Sequence, residues 1–148
     1  MWGGVGPRTD ESAYEEVAKR LETPVITLDV QHEAVDATVF HLDICFAALN
    51  ESSVLIIHEV FNDYDLKVNE SVWEEVIRCP LDEGSPDTGY ACNVHCVDGA
   101  NVLIQKGNEV TIRRLRDAGF AVHPVQTEEL INACKGSVFC LKMMLPSD

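Results

Sequence analysis

Positive charge is scarce in this 148-residue chain: 11 Lys and Arg stand against 25 Asp and Glu, a formal net charge of −14. A phosphate backbone demands a basic face, so the balance argues against nucleic acid as a partner and is compatible with a cationic small molecule. Long apolar runs are also missing. Nothing approaches the length of a membrane span, and the first residues lack the charged-then-apolar order of a signal peptide. The expectation is a cytoplasmic protein with no membrane partner. With 46% hydrophobic residues the composition is globular, and the length suits a single domain over residues 1–148.

Paired metal-ligand spacing is the next absence. Six cysteines, at 45, 79, 92, 96, 134 and 140, read as reduced thiols in such a compartment. None forms a C-x-x-C pair, and no second ligand pair stands at zinc-finger distance. Cys92, His95 and Cys96 are close in sequence, but on a strand the two thiols would face one way and the imidazole the other. No metal site and no organic cofactor are expected.

What is present is an alternation of strands and helices. Trp2-Gly3-Gly4-Val5-Gly6-Pro7-Arg8-Thr9 reads as a loop or strand end. Asp10 caps a helix from about Glu11 to Glu22, with Tyr14, Val17, Ala18 and Leu21 as its apolar stripe. Strands are expected over 25–30, 37–49 and 54–59. Residues 61–68 are mixed, 70–78 read as a short helix ended by Pro80, and 81–89 as an acidic loop. A strand over 90–97, a turn at Asp98-Gly99, a strand over 101–105, a helix from Asn108 to Ala118 and a strand over 120–125 follow. Thr127 opens a last short helix. Gly136 to Pro146 reads as a closing buried strand with Cys140 in its middle. The order strand–strand–helix–strand occurs fully over 90–125 and in shortened form over 37–80, which predicts an α/β fold of packed modules.

Cys140 and the segment Phe40-His41-Leu42-Asp43-Ile44-Cys45-Phe46 supply a thiol, an imidazole and a carboxylate, the parts of a nucleophilic cysteine site. On a strand, His41 and Asp43 would share a face. An imidazolium beside the thiol would populate the thiolate, and Asp43 could orient the ring or accept a guanidinium side-on. The same three residues equally suit structural roles: a hydrogen-bonded histidine, a strand-end acid and a packed thiol.

Three segments resemble motifs of the guanidine-modifying (pentein) superfamily, which includes arginine deiminases, dimethylarginine dimethylaminohydrolases and amidinotransferases. They are Phe40 to Phe46, Tyr90-Ala91-Cys92-Asn93-Val94-His95-Cys96-Val97, and Gly136-Ser137-Val138-Phe139-Cys140-Leu141-Lys142-Met143-Met144. The nearest pattern is an amidinotransferase-like H-L-D-T-C-F strand with a G-G-S-V-F-C terminus, and Gly6-Pro7-Arg8-Thr9-Asp10 fits as well. The resemblance implies a partial α/β propeller built of ββαβ modules, here its last two to three. It further implies hydrolysis or amidino transfer at the guanidine of arginine or a methylated arginine, through a covalent intermediate on Cys140. In this reading His41 is the acid/base and Asp43 holds the guanidinium. Asp43, Arg8 and Asn93 are the substrate-binding residues, Arg8 toward a carboxylate and Asn93 without an assigned role. Family members are much longer, and their Glu-Gly-Gly-Asp-like segment has no counterpart here. Lys135 stands where glycine is usual, and Ile44 where threonine is. The alternative is an inactive or split-gene fragment, an interaction module whose partner is a missing N-terminal half or a second copy.

Overall fold

The computed structural model describes residues 1–30, 39 and 41–143. Two three-stranded sheets share one topology. In the first, β3 (Phe46–Ala48) runs antiparallel to β4 (Ser53–Ile57), which is parallel to β5 (Glu75–Cys79). In the second, β6 (His95–Cys96) is antiparallel to β7 (Asn101–Gln105), itself parallel to β8 (Ala121–Val125). Each parallel pair is joined by a crossover helix, α3 (Asp63–Val72) or α4 (Glu109–Asp117), as a parallel connection requires. A third, two-stranded sheet pairs β1 (Trp2–Val5) with β2 (Ile26–Asp29) in parallel across α1 (Glu11–Leu21). The expected α/β class with a repeated strand–strand–helix–strand order is therefore observed. The shorter α2 (Leu42–Cys45) and α5 (Glu128–Cys134) flank the region of Cys140.

The core follows from the sequence pattern. Every residue of β4 is buried, as expected of an unbroken apolar run at the centre of a sheet. Leu28, Val102, Ile104, Ile112 and Leu115 extend the same cluster. Trp2 stacks on Trp73 with ring centroids 5.6 Å apart and tilts against Phe46 at 5.1 Å, which ties β1 to the first three-stranded sheet. Two glycines let β1 pack closely on α1 and α2. A Cβ on Gly3 would lie 2.5 Å from the Tyr14 ring, and one on Gly4 2.9 Å from Leu42 Cβ. Tyr14 donates its hydroxyl to the Gly4 carbonyl at 2.9 Å.

Capping fixes the helix starts. Asp10 accepts from the Ser12 amide at 2.9 Å, and Asn62 accepts from the Tyr64 and Asp65 amides, both at 2.9 Å. At α4 the cap comes from a distance. The buried Glu83 carboxylate accepts from the Val110 and Thr111 amides, both at 2.8 Å, and from the Thr111 hydroxyl at 2.6 Å. An acid there satisfies otherwise orphaned donors and faces the positive end of the helix dipole.

Four sequence expectations need correction. The helix expected over 70–78 is the end of α3 followed by β5. Val72, Trp73, Val76 and Ile77 mimic helical spacing, but Asn62 starts the helix earlier, and β-branched Val76 and Ile77 pair with β4 instead. The strand expected over 90–97 shrinks to His95–Cys96, because Gly89 (φ 83°) and Tyr90 (φ 55°) take left-handed turns. The strand expected over 37–49 falls in part outside the described residues. From Leu42 it is one helical turn and then β3, with His41 extended at the helix start. Finally, residues 136–143 form turns and not a strand. Leu141 and Lys142 donate back to the Val138 and Phe139 carbonyls at 3.3 and 3.4 Å, while Phe139 donates to Asn93 at 3.1 Å. The remainder of that expected strand lies outside the described residues.

Candidate active site

Asn93 is the hinge of the site. It is buried, held by its own amide donating to the Tyr90 carbonyl at 2.8 Å. Its side-chain Nδ2 donates to Asp43 Oδ2 at 3.1 Å, to the Asp43 carbonyl at 3.2 Å and to Cys140 Sγ at 3.3 Å. Its Oδ1 accepts from the Cys140 amide at 3.3 Å. One amide thus fastens the turn after α5 to the single turn of α2. The triangle closes where Cys140 Sγ donates to Asp43 Oδ2 at 3.3 Å. On the far side of the carboxylate, His41 Nδ1 lies 3.9 Å from Asp43 Oδ1.

His41, Asp43, Asn93 and Cys140 line one cavity of about 330 Å³, together with Tyr90 and Lys135. Arg8 lines a neighbouring cavity of about 490 Å³, which His41 and Asp43 also border. The five residues named from the sequence therefore gather around Asp43, with Arg8 one cavity removed from the thiol. Sequence reasoning did not single out Tyr90. The available signal was Gly89-Tyr90, a turn that breaks an otherwise strand-like run. Tyr90 (φ 55°) and Lys135 (φ 59°) are two of three described non-glycine residues with a left-handed backbone, a conformation that costs an L-residue roughly 1–2 kcal/mol. Both stand on the cavity wall.

The electrostatics are those of a resting thiol. Burial, and then the Asp43 charge, push the Cys140 thiol above its ordinary range, while the Asn93 hydrogen bond pulls it down. Burial is also the main cause holding the Tyr90 phenol above its usual range, with Cys140 and Asp87 adding to it. The other thiols are placed differently. Cys45, Cys79 and Cys92 are buried, and burial is the first cause raising Cys45 and Cys92. His95 approaches Lys142 at 3.4 Å, and its imidazole is held below the usual range, first by burial and then by that cation. Among the described residues, no group of three or more His, Cys, Asp or Glu side chains is arranged to hold a metal. No described helix is long and apolar enough to cross a membrane.

No family model matches the chain. Individual relatives do. The bifunctional arginine dihydrolase/ornithine cyclodeaminase ArgZ of Synechocystis sp. is 28% identical over 144 residues, 97% of this chain and 19% of ArgZ. The N(G),N(G)-dimethylarginine dimethylaminohydrolase of Mycobacterium tuberculosis is 30% identical over 138 residues, 93% of this chain and 42% of that enzyme. The chain thus spans less than half the length of these relatives. Among solved structures, the N-terminal domain of ArgZ bound to product superposes with a TM-score of 0.81 at 27% identity, over 95% of this chain and 49% of that one. The same domain has been captured covalently bound to a reaction intermediate. The amidinotransferase SxtG of Microseira wollei, 20% identical with a TM-score of 0.74 over 94% of this chain and 42% of its own, shares the fold. In sequence and in fold, over nearly its whole length, this chain is similar to these arginine- and dimethylarginine-modifying enzymes.

Proposed function

We propose that this chain carries the thiol half of a guanidine-modifying site, acting on arginine or a methylated arginine through a covalent intermediate on Cys140. The observation that supports it is the hydrogen-bonded triangle of Cys140, Asn93 and Asp43, with His41 on the same cavity. A guanidinium seated on Asp43 offers a fork of donors to the carboxylate that now accepts from the thiol. It also offsets the charge that keeps the thiol protonated, so substrate binding and thiol activation are one event. The thiol proton passes to His41, and sulfur attacks the central guanidinium carbon. The bond from that carbon to one nitrogen breaks, and the His41 imidazolium gives its proton to the departing amine. Water or a second amine then attacks the sulfur-bound carbon, His41 takes the proton it loses, and the thiolate leaves and is reprotonated. Asn93 supports the thiolate by donating to it throughout.

Incubation with chloroacetamidine, a guanidine-shaped alkylating agent, followed by intact mass tests this reading. One adduct on Cys140, blocked by excess arginine, is expected; labelling that arginine never blocks would contradict it. Release of citrulline, ornithine or ammonia from arginine distinguishes the two uses of the intermediate. Reduced thiols and an acidic surface fit action in the cytoplasm.

A second reading is favoured by one feature of the sheets. Among the described residues only β4 and β7 are paired on both edges; the outer strands of all three sheets, β1 and β2, β3 and β5, β6 and β8, pair on one side. This supports one domain of two to three ββαβ propeller modules whose open edge takes a strand from a missing half or a second copy. In that case the site is completed only in the assembly. Analytical ultracentrifugation tests it: self-association, or association with a candidate partner, is expected, and a stable monomer with full arginine turnover would contradict it.

A further inference from the structure

We infer that Lys135 is a specificity-determining residue that reads an anionic group on the guanidine substrate, from the Cys140 side of Asp43. The inference rests on the guanidine reading above and adds a second point of recognition to it. The cavity that holds the sulfur has an anion in its wall, Asp43, and one permanently cationic side chain among its described lining residues, Lys135. Its other polar groups are His41, Tyr90 and Asn93. A zwitterionic or guanidino-acid ligand finds in that space one partner for each of its charges, while a purely cationic guanidine finds a partner for one and a like charge for the other.

Lys135 also lines a polar cavity of about 440 Å³ on its other side, shared with Lys106, Glu128 and Asp87. Arg8 borders the cavity on the opposite side of Asp43, which includes neither Cys140 nor Lys135 in its lining. A guanidinium carbon facing the sulfur lies in the space bounded by Lys135, so Lys135 is the cation better placed to sense what that guanidine carries. Lysine holds this position despite a left-handed backbone (φ 59°, ψ 27°) at the end of α5, where glycine is the unstrained choice.

The test measures protection of Cys140 from chloroacetamidine by arginine and by agmatine, which lacks the carboxylate, in the full chain. Wild type is expected to be protected by arginine at a concentration about tenfold lower than by agmatine, the order of one partly solvated charge-assisted contact. Lys135→Gly, which suits the backbone and so preserves the fold, is expected to bring the two concentrations together. Lys135→Arg is expected to keep them apart. Equal protection in wild type, or discrimination that survives in Lys135→Gly, would overturn the role of Lys135 while leaving the guanidine reading intact. Labelling that neither compound blocks, or no labelling at all, would overturn the guanidine reading and this inference with it.

Discussion

Cys45 and Cys140 both feel the charge of Asp43, and their contrast explains what makes a cysteine a candidate nucleophile. Both thiols are raised by burial first and by Asp43 second. The direction of the shift therefore does not separate them, although burial presses harder on Cys45 than on the partly exposed Cys140. Cys45 is fully buried and donates to the Leu42 carbonyl at 3.5 Å, inside its own helical turn. Cys140 is exposed, faces a cavity, and receives a hydrogen bond from a buried amide. Access, and a donor fixed before any ligand arrives, distinguish the second sulfur from the first.

The strongest way to break this comparison is to remove the reactive sulfur. Cys140→Ser is expected to abolish the chloroacetamidine adduct entirely, by intact mass, with Cys45 left unmodified. Asn93→Ala comes next. It strips the sulfur of its donor, the Cys140 amide of its acceptor and Asp43 of a partner. Labelling should slow by about 10²-fold, the range seen when one preorganised donor is lost. Melting should fall as well, because the buried amide joins two segments. Asn93→Asp would sharpen the point: it keeps the size, replaces the donor with a second negative charge, and should raise the thiol further.

Smaller effects concern the scaffold. Glu83→Gln removes a charge from the start of α4 and one acceptor oxygen from its three donors, for an expected loss of about 1–3 kcal/mol in urea unfolding. Smaller still is the effect of alkaline pH. Cys45 and Cys92 have folded-state values raised above the unfolded thiol value of about 8.5. Their contribution to stability is complete below that pH and is lost as pH climbs toward the folded values, since the unfolded chain releases the protons first. Urea midpoints should therefore decline above about pH 8.5, and Cys45→Ala should flatten the decline. An unchanged slope in that variant would place the alkaline sensitivity elsewhere.

The sequence carried more of which residues meet at the candidate site than of their local geometry. His41, Asp43, Asn93, Arg8 and Cys140 were legible as letters in motifs, and they gather around one carboxylate. Their secondary structure was misread for a definable reason. Apolar runs such as 136–143 look like strands by composition, but a strand needs a partner, and here the Asn93 carbonyl and side chain take the Phe139 and Cys140 amides instead. The error over 70–78 has the same root, since the pairing of Val76 and Ile77 with β4 is a tertiary fact that overrides local spacing. By contrast, α1 was readable because its Asp10 cap and its periodicity act locally, and α4 by its periodicity alone, since its cap is the distant Glu83 and not Asn108. The bridging role of Asn93 was invisible, because its partners lie 47 and 50 residues away.

The central claim is that Asp43, added to burial, holds the thiol protonated until a guanidinium occupies the carboxylate. The direct measurement is the pH dependence of Cys140 alkylation by neutral iodoacetamide, in wild type and in Asp43→Asn. A midpoint displaced to lower pH in Asp43→Asn, together with loss of preference for chloroacetamidine over iodoacetamide, is the predicted result. An unmoved midpoint with that preference intact would show that the carboxylate governs neither the sulfur nor the guanidinium.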